Sequence, residues 1–316
     1  MNIRQQNLHF SGDQVQLSGT LFLPELPGKH PAVICVHGSG PETREGSLEV
    51  ARQFAEQGIV ALAYDKRGTG ESSGDWISAS YHTLAKDALG AVAALKTHPE
   101  ISSVGLRGVS QGGWVAPLAA SMSGAGSDTV DFLVLISPAL MTPTEQELYR
   151  VESQMRRAEE TEEDIQEALA VYRIFNKAAR QNREVAPLLE LYDLLAVKSY
   201  MSFGGELPPL PVMQNIFRQW QEVLDLDIFP VLQGLSLPVL ALFGDRDTFV
   251  PALKSSQNLQ QHLSPQADLT VVHFENGTHF MTDDTTEAPI PQAFDKTVQW
   301  ILQHTQPASM PRLSRA

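Results

Sequence analysis

One cysteine, Cys35, stands in the whole 316-residue chain. A lone thiol excludes an internal disulfide and any thiolate metal cluster. Its place in the apolar run 32–36 reads as buried and inert. No apolar run approaches the roughly 18 residues that mark a membrane-spanning helix. The opening residues MNIRQQNLHFSGDQ lack the apolar core of a secretory signal, so a cytoplasmic location is expected. Positive charge is also scarce, with 23 Lys and Arg against 37 Asp and Glu and a formal net charge of −14. That balance disfavours nucleic acid and anionic membranes as partners. No H-E-x-x-H occurs and no G-x-G-x-x-G follows the first central strand, so neither a metal nor a nicotinamide cofactor is expected. No internal repeat is apparent.

What is present is an alternation. Hydrophobic residues make up 42% of the chain, enough for one large core or a core with an inserted cap. Residues 7–23 read as a hairpin with Gly12-Asp13 at its turn. Strands are predicted at 32–36, 59–63, 104–106 and 132–136, separated by helices at 48–57, 81–97 and after 110. This β-α-β order predicts an α/β protein with a mostly parallel central sheet flanked by helices on both faces. The rhythm stops between about 140 and 236. There 147–175 is charged and helical, with an apolar stripe of Leu148, Val151, Met155, Leu169, Tyr172 and Phe175. Thr161, three residues before Asp164, is placed to cap a second helix. Further helical segments are expected at 185–201 and 212–223. Strands return at 238–243 and 269–273, with helices at 253–263 and 290–302. The expected division is a core of 1–140 and 237–305, a helical cap of 141–236 and a loose tail of 306–316.

The stretch VGLRGVSQGGWVAPLA, 104–119, organises this scheme. It reads as a strand, a tight turn and a helix, with Ser110 at the apex of Gly108-Val109-Ser110-Gln111-Gly112. A serine there projects its hydroxyl beyond the sheet, and glycines two before and two after leave room for the strained backbone. The following helix turns its N–H groups toward a developing oxyanion.

A serine hydroxyl needs a base, and the base needs an orienting group. Three candidates follow successive strands in the order Ser, Asp, His: Ser110, one of Asp245 or Asp247, and His279. Asp247 is preferred because it lies further out along its loop and can reach a histidine on the next one. Among nine histidines His279 alone follows the last strand in a glycine-containing loop, whereas His37 and His273 read as structural. Asp283 and Asp284 read as a helix or turn cap. The Gln111 backbone N–H supplies one oxyanion donor, and the loop His37-Gly38-Ser39-Gly40-Pro41 supplies the second, most simply Ser39 N–H. Pocket candidates are Phe217 and Trp220, near the return to the sheet, together with His37 and Trp114.

The segments LSGTLFLP, HGSGP, YDKRGTGES, GVSQGG, GDRDTFVP and NGTHF together resemble the α/β-hydrolase superfamily over about 8–304, and within it the bacterial serine aminopeptidase and dienelactone-hydrolase-like esterase branch. The resemblance implies Asp247 as the acid and Ser39 and Gln111 as oxyanion donors. It implies a structural role for the Asp65–Arg67–Gly68 turn and a lid made by the inserted helices. Val109 stands where histidine or tyrosine is commoner, which changes the pocket lining. The activity expected is that of a serine carboxylesterase acting on a small or medium acyl ester, without a cofactor and compatible with a homo-oligomer. Aminopeptidase, amidase or thioesterase action uses the same machinery. A non-catalytic binding protein on this fold is the reading from outside enzymology.

Overall fold

The computed structural model describes residues 1–124, 126, 128–181 and 220–305. Among these residues, eight strands form one sheet in the order β1-β2-β4-β3-β5-β6-β7-β8. They are β1 (Ile3–Ser11), β2 (Gln16–Pro24), β3 (His30–Val36), β4 (Val60–Tyr64), β5 (Ile101–Val109), β6 (Phe132–Ile136), β7 (Val239–Gly244) and β8 (Leu269–Phe274). β1 pairs antiparallel with β2, and β2 antiparallel with β4. All later pairings are parallel. The expected hairpin is present, closed by Gly12 N–H donating to the Val15 carbonyl at 2.9 Å.

A parallel sheet hides both faces, so its strands should be apolar throughout rather than alternating. β6, FLVLI, is buried at all five positions. Leu133 and Leu135 pack on one face, beneath α2 (Tyr81–Lys96), α3 (Gly112–Met122), α6 (Phe229–Gly234) and α7 (Ala252–His262). Phe132, Val134 and Ile136 pack on the other, beneath α1 (Glu45–Glu56) and α8 (Pro291–Thr305). Each such side chain contributes about 1.5–3 kcal/mol by leaving water. β3 and β5 begin earlier than the apolar runs predict. Their extra residues pair with one another, His30 beside Ile101 and Pro31 beside Ser103, which no local pattern specifies.

Between β6 and β7 the chain forms α4 (Pro143–Arg157) and α5 (Glu162–Arg180). Thr142 caps α4 in a reciprocal box with Glu145. The Thr161 side chain accepts from Asp164 N–H and so starts α5. The apolar stripe closes on itself: Val151 and Met155 of α4 meet Ile165, Ala168, Leu169 and Val171 of α5, with Leu148, Tyr172 and Phe175 at the margin. The expected helix at 185–201 and most of that at 212–223 lie outside the described residues, as do Phe217 and the tail. Only the last turn of the second, 220–223, is described, and it is helical. Among the described residues no helix is long and apolar enough to cross a membrane.

Candidate active site

The carboxyl ends of β3, β5, β6, β7 and β8 lie along one edge of the sheet, and the candidate residues follow them. Ser110, directly after β5, has φ +53°. A non-glycine residue in that region costs on the order of 1–3 kcal/mol, so its surroundings must hold it there. Ser110 N–H donates to the Ile136 carbonyl at 3.0 Å, and Gly113 N–H donates to the Ser110 carbonyl at 2.7 Å. The flanking glycines are required by contact. A Cβ on Gly108 would collide with the Gly112 carbonyl, and one on Gly112 would lie 2.8 Å from the Val36 carbonyl oxygen. Gln111 is the N-cap of α3. Neither the Gln111 nor the Ser39 backbone N–H has an acceptor among the described residues.

The acid and the histidine meet. Asp247, three residues past the end of β7, and His279, five past β8, are both buried. Phe249 and Val250 N–H donate to Asp247 Oδ1 at 2.7 and 2.9 Å. His279 Nδ1 lies 2.8 Å from Oδ2. An ionised carboxylate only accepts, so the ring proton belongs on Nδ1 and Nε2 is left as a lone-pair acceptor. The Phe249 ring stacks on His279 at 4.8 Å, and Phe280 meets it edge-on at 5.2 Å. Ser137 Oγ donates to the His279 carbonyl at 2.8 Å. Ser137 itself is in the left-handed region, at φ +46°. It directly follows Ile136, which accepts from Ser110, so the end of β6 links the serine elbow to the histidine loop. Tyr149 of α4 donates to the Asp247 carbonyl at 2.9 Å, and Gln146 to the Phe249 carbonyl at 2.8 Å. The inserted helices therefore rest on the loop carrying the acid.

Asp245 is exposed, and the loop amides of Phe249 and Val250 bond to Asp247 Oδ1. Asp283 caps a turn, accepting from Thr285 and Thr286 N–H. His37 is buried, with Nε2 2.6 Å from the Tyr64 carbonyl. Burial, then repulsion from Lys66, drives its pKa down to about 3, so it is neutral. Trp114 is buried too, stacked on Tyr81 at 5.3 Å and donating to the Met141 carbonyl at 3.0 Å. Trp220 donates to Asn176 Oδ1 at 2.7 Å, beside the last turns of α5. None of these three lines the open cavity of about 330 Å³ that touches His279. That cavity is walled by Phe249 and Phe280 with Thr248, Thr282, Arg157 and Arg246. Phe280 is 68% exposed at its rim. Sequence reasoning passed over Phe249, Phe280 and Ser137. Each sits within two residues of a candidate or directly after a core strand, which is the signal that was available.

A mostly parallel sheet with a serine on a strand-to-helix elbow, and an acid and a histidine after two later strands, is the α/β-hydrolase fold. The chain belongs to the serine aminopeptidase S33 family, whose model matches residues 28–286. It is 25% identical over 273 residues to esterase EstD of Thermotoga maritima, covering 84% of this chain and 58% of that protein. The chain thus spans little more than half the length of that curated relative. Among solved structures it is similar to the α/β hydrolase GrgF of Penicillium sp. sh18, with a TM-score of 0.61 at 19% identity over 96% of this chain and 99% of that one. Est1E of Butyrivibrio proteoclasticus, solved with ferulic acid bound, gives a TM-score of 0.61 at 20% identity over 94% and 98%.

Proposed function

We propose that this chain is a serine carboxylesterase for small or medium acyl esters. The observation that carries the reading is the buried Asp247–His279 hydrogen bond of 2.8 Å, linked through Ile136 and Ser137 at the end of β6 to a serine at positive φ. In this reading His279 Nε2 takes the Ser110 proton as Oγ attacks the ester carbonyl. The tetrahedral oxyanion is held by the Ser39 and Gln111 N–H groups, both without an acceptor among the described residues. The imidazolium, stabilised by Asp247, returns the proton to the departing alkoxide, leaving an acyl-Ser110 ester. Water then attacks that ester, giving up its proton to His279, and the carboxylic acid leaves as Ser110 recovers the proton. Phe249 and Phe280 offer apolar surface to the substrate on the histidine side.

Aminoacyl-amide hydrolysis is the second reading. It is favoured by the family's description and by Asp283 and Glu287 in the cavity wall, carboxylates that suit an ammonium group. Asp284 beside them is already paired with Arg157 at 2.7 Å. An organophosphonate probe should label Ser110 stoichiometrically and leave Ser110→Ala unlabelled. A panel of aryl esters of rising acyl length, run beside aminoacyl arylamides, then separates the two readings. A folded protein that takes up no phosphonate refutes both.

A further inference from the structure

Between Asp65 and Arg67 lies Lys66, a buried cation that the proposed mechanism does not use. Both of its neighbours are held by ion pairs. Asp65 accepts from Arg44, whose Nη2 lies 2.6 Å from Oδ2, and Arg67 donates to Asp87 at 2.7 and 2.8 Å. With both flanks fixed, the Lys66 side chain is aimed at the loop after β3. Nζ donates to the Gly38 carbonyl at 2.6 Å, to the Gly40 carbonyl at 2.8 Å and to Gln111 Oε1 at 3.3 Å.

We infer that Lys66 is the positioning residue of the oxyanion hole, holding the Gly38–Ser39 peptide so that the Ser39 N–H faces the reacting carbonyl. The inference rests on the esterase reading above. Its geometry is that of a trans peptide, in which the C=O and the following N–H point to opposite sides. Anchoring the Gly38 carbonyl on Lys66 therefore turns the Ser39 N–H away from Lys66. The same ammonium holds the side chain of Gln111, the residue that supplies the other donor. One cation thus orders both halves of the hole and sets a positive charge behind the developing oxyanion.

Three acceptors use all three N–H groups of the ammonium form. The neutral amine keeps two, and it loses the charge. Burial lowers the Lys66 pKa to about 8, with the Glu42 carboxylate opposing the shift. The groups facing it from the surrounding elements do not titrate nearby. His37 is neutral, Asp65 and Arg67 are held in ion pairs, and burial pushes the Tyr64 and Tyr81 hydroxyls upward. Glu42 also accepts from Gly38 N–H at 3.2 Å, bracing the loop from the other side.

The test measures kcat and KM for an aryl acetate, per phosphonate-labelled site, across roughly pH 6.5–9.5 in the wild type, Lys66→Met and Lys66→Arg. Counting labelled sites removes any loss due merely to misfolding. Wild-type kcat should step down to a lower, non-zero plateau with a midpoint near the Lys66 pKa. K66M should already be lowered about 10–100-fold at neutral pH, with KM changed less than about threefold and no step. K66R, which stays charged, should recover most of kcat and also lack the step. A K66M kcat within about threefold of wild type, or the same alkaline step in all three proteins, overturns the inference while leaving the esterase reading intact. If neither variant folds, the wild-type profile decides, and a kcat flat through the alkaline range overturns it. A wild-type Ser110 that cannot be labelled overturns both readings.

Discussion

Changing Asp247 to Asn should do more harm than the loss of one charge suggests, and the reason lies in the two oxygens of the native carboxylate. Oδ1 accepts from two backbone N–H groups, of Phe249 and Val250, and Oδ2 faces His279 Nδ1. An asparagine in the same place must choose which end holds its oxygen. With oxygen toward the amides, both backbone bonds survive. With nitrogen toward them, the part-buried Phe249 N–H and the buried Val250 N–H lose their acceptor, at about 1–3 kcal/mol each. The first arrangement is therefore favoured by about 2–6 kcal/mol, and it presents an N–H donor to His279 Nδ1. Nδ1 must then accept, the ring proton moves to Nε2, and His279 can no longer take a proton from Ser110. A histidine held in the wrong tautomer lowers turnover by about 10⁴-fold, close to 5 kcal/mol in the barrier. Because the shape and backbone bonds persist, the unfolding midpoint of D247N should stay within about 4 °C of the wild type. The assay is kcat/KM on an aryl acetate below pH 8, with thermal unfolding alongside and Asp245→Asn as the comparison. Asp245 is exposed, so D245N should lose far less activity. A D247N enzyme within tenfold of wild type, or a D245N enzyme that is the more damaged, refutes the reasoning.

Gly108→Ala should cripple the elbow, since its Cβ would meet the Gly112 backbone. Over-packing of this kind costs about 1–3 kcal/mol or more, read as a lowered unfolding midpoint together with lost phosphonate labelling. Lys66 makes stability pH-dependent with a definite sign. Its pKa falls from 10.5 to about 8 on folding, so the folded chain holds fewer protons across that window and stability rises with pH, by on the order of 3 kcal/mol. The wild-type free energy of unfolding minus that of K66M should climb between about pH 8 and 10, and a flat or falling difference sinks the assignment. Phe280→Ala should shift the acyl-length preference, because the ring stands exposed at the cavity rim, while Met155→Ala should cost about 2–5 kcal/mol of stability and leave that preference alone. An ester panel and a melting curve on the two variants check both halves.

The sequence by itself determined whatever depends on neighbours along the chain. The elbow is legible because its strain is local: Ser110 at positive φ needs the glycines two before and two after it. The turn at Gly12-Asp13 and the helix start at Thr161 are likewise short-range hydrogen-bonding demands that a few residues satisfy. The all-apolar β6 announced a strand covered on both faces. Tertiary structure decided the contacts between residues far apart in the chain. The inserted helices turn their apolar stripe on each other, because α4 and α5 fold back face to face, and periodicity alone does not say which surface covers such a stripe. His37 and Trp114 are both buried, with His37 Nε2 at the Tyr64 carbonyl and the Trp114 ring on that of Tyr81, contacts that their places along the chain do not specify. Lys66 looked like one more charge in a structural turn. Its direction follows from two ion pairs, Asp65 with Arg44 and Arg67 with Asp87, formed across 21 and 20 residues of chain. Residue type and local spacing set what a backbone turn can do. Where a long side chain ends, and whether its charge is buried, is set by partners that only the strand order brings within reach.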